Sequence, residues 1–399
     1  MTKGGDFSFE DLNKEISKNS RWGGLMSDGA GVSAITDYIP VGNYACNACL
    51  SGSIFGGIPN NRITGFSGVS GVGKTYLLLN LAREAILKGY FVIWYDSENA
   101  IESKQLNQFN IDPTKFRYEP ATSVEEFRTS ITQIIDLLIE KKDSGMSIPK
   151  VLFVLDSLGG LPSAKEIEDA KSGSDKADMT KAKKIRSIFR IISMKMGLIG
   201  ATMALSNHVY ENTNAYVPTA VQSGGQGLVY GASVILNLSK AKLKEGTDNI
   251  QTGIIVTAKP DKNRFCIPHT VKFYISYISG CNPYVGLEEY ISWERCGIDR
   301  GKFIDEKEYS KLSNKDGVYE THCADGTVKY FVKSDTGRNV CCDDGTCLPW
   351  KQLFTGKVFS RERLERLDEY IKSEFKYADG VSVDDLFDEE VDNDQEELI

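Results

Sequence analysis

Gly68-Val69-Ser70-Gly71-Val72-Gly73-Lys74-Thr75 is the stretch that decides the fold. It fits the pattern G-x-x-x-x-G-K-[ST] without a mismatch. Arg62 to Ser67, just before it, alternates like a short strand, and Tyr76 to Leu87, just after it, is rich in helix formers. Strand, glycine loop and helix form the context in which this motif works. The glycines let the backbone curl so that its N–H groups point at phosphate oxygens, and the helix N-terminus adds partial positive charge. Lys74 is then the phosphate lysine and Thr75 the hydroxyl ligand of Mg²⁺. The cofactor-binding run is Gly68, Val69, Ser70, Gly71, Val72, Gly73, Lys74, Thr75 and Tyr76.

The flanking text supports an α/β fold. Tyr90 to Tyr95 and Pro149 to Asp156 are continuous apolar runs that end in acids, as buried parallel strands do. Asp156 sits where such a strand-end acid holds Mg²⁺ indirectly, and Glu98 follows the other strand into the crevice where these sheets bind ligands. Val124 to Lys141 and Lys181 to Met196 read as helices, with a strand over Leu198 to Ser206. Further strands are expected near Ile254 to Ala258 and Val271 to Ile278. The expectation is a phosphate-loop core with a mostly parallel central sheet flanked by helices. Two segments read as loops, Lys165 to Asp178 and Val209 to Ser223.

The expected divisions are an N-terminal arm for oligomerisation (1–38), a core (39–280), a C-terminal α+β domain (281–378) and an acidic tail (379–399). In the C-terminal part, helices are expected over Leu287 to Trp293, Lys302 to Leu312 and Phe359 to Phe375, with a hairpin over Val318 to Val332. The chain has 399 residues and a net charge of −8. Residues 379–399 hold ten acids and no Lys or Arg, which leaves +2 on the rest. A near-neutral body with an acidic end is compatible with nucleic-acid binding through local basic patches. No apolar run approaches the ~20 residues of a membrane span, and the start has no signal-peptide shape. Nine cysteines in a secretion-free context imply free thiols in a reducing cytoplasm. Cys46-x-x-Cys49 is read as two ordinary thiols. Zinc at His322, Cys323, Cys341, Cys342 and Cys347 is disfavoured, because two clean C-x-x-C pairs are missing.

From Phe55-Gly56-Gly57-Ile58-Pro59 through Asn282-Pro283-Tyr284-Val285-Gly286-Leu287, the order of motifs resembles the RecA-type homologous-recombination ATPases, and among them the UvsX-type recombinases of tailed phages. The resemblance also runs through Tyr95-Asp96-Ser97-Glu98, Asp156-Ser157-Leu158-Gly159, Ala177 to Lys183 and Asn207-His208. It implies a DNA-dependent ATPase with ATP and Mg²⁺ as cofactors. Such a protein forms helical filaments on single-stranded DNA, pairs them with homologous duplex, and meets single-strand-binding and mediator proteins.

The resemblance also implies roles. Glu98 would activate water, and His208 would sense the γ-phosphate. Lys262 and Arg264 would reach the nucleotide of a neighbouring subunit. Tyr230 would be an interface aromatic, counted with the cofactor-binding residues. Glu102 would sit near the adenine, while Gln105 stands where many relatives carry a stacking aromatic. Residues 163–180 and 209–225 would be the DNA loops, with Lys165, Lys171, Lys176, Lys181, Lys183, Tyr210, Asn212, Tyr216, Gly224 and Gly225 as contacts. The rival readings are a ring-forming hexameric helicase of the same fold, a non-hydrolysing DNA scaffold, and a phosphate-loop kinase.

Overall fold

The computed structural model describes residues 7–20, 23–25, 34–173, 180–212, 219–222, 227–245, 250–312, 317–323, 325–334 and 336–378. The acidic run from 379 onward therefore lies outside the described residues.

The chain opens with α1 (Phe9–Asn19), capped by Ser8 and Asp11, and continues through β1 (Tyr38–Ile39), α2 (Tyr44–Ser51) and β2 (Ile58–Pro59). The expected strand and helix around the glycine loop are β3 (Ile63–Gly68) and α3 (Lys74–Leu87). Next come β4 (Tyr90–Asp96), α4 (Ser103–Gln108), β5 (Phe116–Pro120), α5 (Val124–Asp143) and β6 (Lys150–Asp156). Then follow α6 (Ala164–Ser172), α7 (Lys181–Ile199), β7 (Thr202–Asn212), β8 (Thr219–Gln222) and α8 (Gly227–Gly231). Two long strands, β9 (Val234–Glu245) and β10 (Ile250–Asn263), precede β11 (Val271–Ser276) and the short β12 (Gly280–Cys281).

Strands β3 to β12 form one ten-stranded sheet ordered β12-β11-β10-β9-β3-β7-β6-β4-β5, with β8 paired to β7, while β1 pairs with β2 apart from it. The centre, β9-β3-β7-β6-β4-β5, is parallel, and the β9 to β12 side is antiparallel. Side chains alternate between its two faces, as the pleat requires. Leu152 and Val154 join Phe66, Trp94 and Leu236 under α2 and α3, whereas Val151, Phe153 and Leu155 join Met203 and Ile235 under α5, α7 and α8. Both faces are thus covered, which is why β4 and β6 read as continuous apolar runs.

The remaining chain folds as α9 (Trp293–Cys296), β13 (Ile298–Ile304), α10 (Glu306–Ser310), β14 (Val318–His322), β15 (Val328–Lys333), β16 (Asn339–Cys342), β17 (Cys347–Pro349) and α11 (Arg361–Glu374). Its five strands make a separate antiparallel sheet, β14-β15-β13-β16-β17. Leu364, Leu367 and Ile371 of α11 belong to the same buried cluster as α2 and α3.

Several expectations need correction. Residues 164–172 are helix α6, not loop, because Ser163 and Glu166 form a reciprocal capping box. Lys302 lies in strand β13, and only Glu306–Ser310 is helical, started by the Asp305 side chain accepting from Glu308 N. Over 287–296 there is a short 3₁₀ turn and then α9, rather than one helix. Within the expected loop 209–223, β7 instead runs on to Asn212 and pairs with β8 from Val209↔Gln222 to Asn212↔Thr219. The expectation of free thiols is corrected at one pair, because Cys341 is bonded to Cys347, while the other seven cysteines are free. Among the described residues, no helix is long and apolar enough to cross a membrane.

Candidate functional site

The parallel strands β3, β4, β6 and β7 deliver their C-terminal ends to one edge of the sheet. At that edge the loop 68–73 turns through Gly71 and Gly73, whose φ angles of 70° and 93° lie in the left-handed region open to glycine. Gly73 caps α3 without any side-chain bond, so the first N–H groups of the helix remain available to an anion. Lys74 is only 7% exposed. Its Nζ donates to the carbonyls of Gly68 at 2.8 Å and Val69 at 3.0 Å, which folds the ammonium back over the loop. Burial pushes its pKa down; the Asp156 and Glu98 carboxylates oppose this, and Lys240 adds to it.

Asp156 ends β6 opposite Asp96 at the end of β4. Thr75 Oγ1 donates to Asp156 Oδ2 at 2.6 Å, and Ser206 Oγ donates to the other carboxylate oxygen. Burial pushes the Asp156 pKa up; these two bonds oppose it, and Glu98 and Asp96 reinforce it. A hydroxyl beside a carboxylate suits a hard divalent cation, so the pair fits Mg²⁺. Among the described residues no group of three or more His, Cys, Asp or Glu could hold a metal, so such an ion would take its other ligands from phosphate and water.

Glu98 stands beyond β4 on a turn held by Asp96, which accepts from the N–H groups of Glu98 at 2.9 Å and Ala100 at 2.8 Å. Glu98 Oε1 accepts from Ser157 Oγ and lies 2.6 Å from His208 Nε2. Burial alone would raise its pKa, but Ser157, His208 and Lys74 together hold it below the ordinary carboxylate value. His208 reaches this place because β7 is in register with β3, pairing His208 with Gly68. Lys74, Thr75, Glu98, Asp156 and His208 are therefore one constellation.

The other expected residues lie elsewhere. Glu102 begins α4, and its N–H bonds the Gln105 side chain at 2.9 Å, so position 105 serves a helix cap. Tyr76 packs edge-on against Phe109, and its hydroxyl accepts from Cys281 N at 2.8 Å. Lys262 pairs with Ile235, near the N-terminal end of β3, and its Nζ donates to Val229 O at 2.6 Å. Arg264 follows, lining a cavity of about 270 Å³ with Arg62 and Met194. Tyr230 is not at the loop: α8 ends where Ser233 N bonds Ile63 O at the start of β3, and the ring, 62% exposed, lies under Arg186. Registered through Ile235 against Gly65, Lys262 stands roughly 10 Å along β3 from Gly68, and Arg264, two residues on, stands near the start of the strand at roughly 17 Å.

Lys165 and Lys171 are exposed on α6, which leaves the C-terminal end of β6. Lys181 pairs with Glu166 at 3.3 Å, and Lys183 is exposed on the same helix. Tyr210 and Asn212 fall on the backbone of β7. Lys176, Tyr216, Gly224 and Gly225 lie outside the described residues.

Sequence reading missed several participants. Ser157 and Ser206 orient the two acids, and Lys240 donates to Ser70 O at 2.7 Å. Tyr277, 64% exposed, follows β11, whose Ile275 abuts Gly73. The aromatic at the end of an amphipathic strand was the available signal for Tyr277.

The family model of the RecA N-terminal domain matches residues 8–282. The chain is 30% identical over 246 residues to the recombination and repair protein of Enterobacteria phage T4, covering 60% of each chain. It is 29% identical over 218 residues to protein RecA of Malacoplasma penetrans, covering 53% of this chain and 63% of that one. To protein RecA of Thermus thermophilus it is 24% identical over 293 residues, covering 70% and 78%. The match thus spans about three-fifths of the phage and Malacoplasma proteins.

Proposed function

Because the chain belongs to the RecA family, we propose that it is a DNA-dependent ATPase that assembles along single-stranded DNA and exchanges strands with homologous duplex. One observation carries this reading. The cations Lys262 and Arg264 stand at the sheet edge opposite Lys74 and Glu98, so one chain cannot bring both sets to one triphosphate. A second copy stacked edge to edge completes the site, and such a head-to-tail contact builds a helical filament where its rotation does not close. The exposed Phe9, Leu12 and Ile16 on α1 offer an apolar face for such a contact.

Within the completed site, Lys74 and the loop N–H groups bind the phosphates. Thr75 and Asp156 would hold Mg²⁺, which neutralises phosphate charge when bound. Glu98, ionised at neutral pH, orients the attacking water and takes its proton. The partner's Lys262 and Arg264 face the charge that develops on the transferred group. Tyr277 offers the base an aromatic face that Gln105 does not. His208 immediately precedes the stretch of β7 that pairs with β8, so its bond to Glu98 links the nucleotide to a candidate DNA segment. Contacts from α6, α7 and this hairpin to phosphates are sequence-tolerant.

The test is electron microscopy with single-stranded DNA and a slowly hydrolysed ATP analogue, paired with phosphate release. Helical filaments and DNA-stimulated release support the reading. Closed rings that unwind duplex point to the helicase, and DNA binding without release points to the scaffold.

A further inference from the structure

β9 runs parallel to β3, with Leu238 opposite Gly68, the last residue of β3. Lys240, two residues further along β9, therefore extends past the end of β3 to where the loop curls. Its Nζ donates to the Ser70 carbonyl at 2.7 Å. A Cβ built on Gly71 would meet that ammonium at 2.9 Å, so the glycine at 71 leaves the room it occupies. Two ammonium groups, Lys74 from below and Lys240 from the flank, thus serve one short loop.

We propose that Lys240 is a second phosphate-binding cation of this loop, resting on the Ser70 carbonyl and transferring to an oxygen of a nucleoside di- or triphosphate when one binds. The proposal rests on the reading of the loop as a nucleotide site. A lysine is suited to such a transfer, because its ammonium is a compact charge on a flexible stem. The ammonium already makes a charge-assisted bond to the carbonyl, and exchanging that oxygen for a phosphate oxygen adds the attraction of an opposite charge. Ser70 and Gly71 belong to the part of the loop that cradles the inner phosphates, so the gain applies to diphosphate and triphosphate alike. The same hairpin, β9 to β10, carries Lys262 at its other end. One rigid element would then touch the chain's own nucleotide at Lys240 and a neighbour's at Lys262.

The test is calorimetric titration of ADP and of ATPγS into the full chain with Mg²⁺ and no DNA, for the native protein, Lys240→Met, Lys240→Arg and Lys74→Ala, at two salt concentrations. Lys240→Met is expected to weaken both nucleotides about tenfold, the loss of one charge-assisted bond, and to flatten the salt dependence. Lys240→Arg is expected to recover most of the affinity. Native affinity for both nucleotides in Lys240→Met overturns the proposal. So does a lower melting temperature in that variant with an unchanged nucleotide-induced shift, which would make Lys240 a structural latch. If Lys74→Ala also binds ADP like the native protein, the nucleotide reading itself fails.

Discussion

Glu98 Oε1 and His208 Nε2 lie 2.6 Å apart, joining the turn beyond β4 to β7, a strand that is not its sheet neighbour. Burial is the largest influence on Glu98 and favours its neutral form, yet Ser157, His208 and Lys74 hold its pKa below the usual value of 4.5. A carboxylate with a depressed pKa contributes its stabilisation above the unfolded value and loses it as pH falls through the folded one. The acid limb of DNA-stimulated hydrolysis should therefore lie below the ordinary Glu range. Removing the imidazole in His208→Ala leaves burial less opposed, so that limb should move to higher pH. A pH–rate profile, with circular dichroism to exclude acid unfolding, checks this. An unmoved limb would show that His208 does not tune the base.

Asp156 is tuned in the opposite direction. Its pKa is raised chiefly by burial, so the group favours folding below the ordinary carboxylate range and loses that contribution as pH rises through the folded value. At neutral pH its charge costs stability. Asp156→Asn keeps the shape and removes the charge. The nucleotide-free variant should melt higher by about 1–3 °C, whereas its Mg²⁺ affinity with nucleotide should fall about 10–100-fold. Scanning calorimetry with and without Mg²⁺ and nucleotide reads both effects. A variant that melts lower would mean that the bonds from Ser206 and Thr75 outweigh the buried charge.

The small sheet is tied to α11 through Arg363, which is 4% exposed. Its Nε donates to Asp343 at 2.9 Å, a terminal nitrogen reaches Asp344 at 2.7 Å, and Nη1 donates to Val358 O at 3.2 Å. Arg363→Met leaves the two acids and a carbonyl without that partner. The expected cost is about 1.5–3 kcal/mol, that of hydrogen bonds to charged groups, because the Asp343 and Asp344 side chains left behind are 27% and 46% exposed. Urea unfolding measures it, and a loss under about 1 kcal/mol would mean that Arg366, bonded to Asp343, compensates.

Legibility in the sequence followed how local each determinant is. Lys74 and Thr75 are set by a loop whose geometry is written in eight consecutive residues, and Asp156 by an apolar strand ending in an acid. Helix α6 escaped because it buries none of its residues, so periodicity had nothing to register; only the Ser163–Glu166 cap signals it. Strand β13 escaped because Lys302 and its charged neighbours mask a short alternation. Lys240 was not readable at all. Alone it is one of three lysines, with Lys242 and Lys244, spaced by two along a strand as a solvated face would be. Only the register of Leu238 against Gly68 brings that face to the loop.

The proposed division of the site between two copies makes the sharpest prediction. Lys262→Ala/Arg264→Ala should bind nucleotide like the native chain, because both side chains lie at the far edge of the sheet. Its DNA-stimulated hydrolysis should fall by about 10³-fold or more, the scale seen when a cation supplied in trans is removed. Lys74→Ala should lose nucleotide binding and turnover together. Each variant alone is then inactive for a different reason. Mixed on single-stranded DNA, they create junctions where an intact loop with Glu98 faces an intact Lys262 and Arg264. Those junctions should restore measurable phosphate release, rising to a maximum near equal proportions. A mixture as inactive as its components would place both sets of residues in one chain's own site, against the distance that separates them along β3.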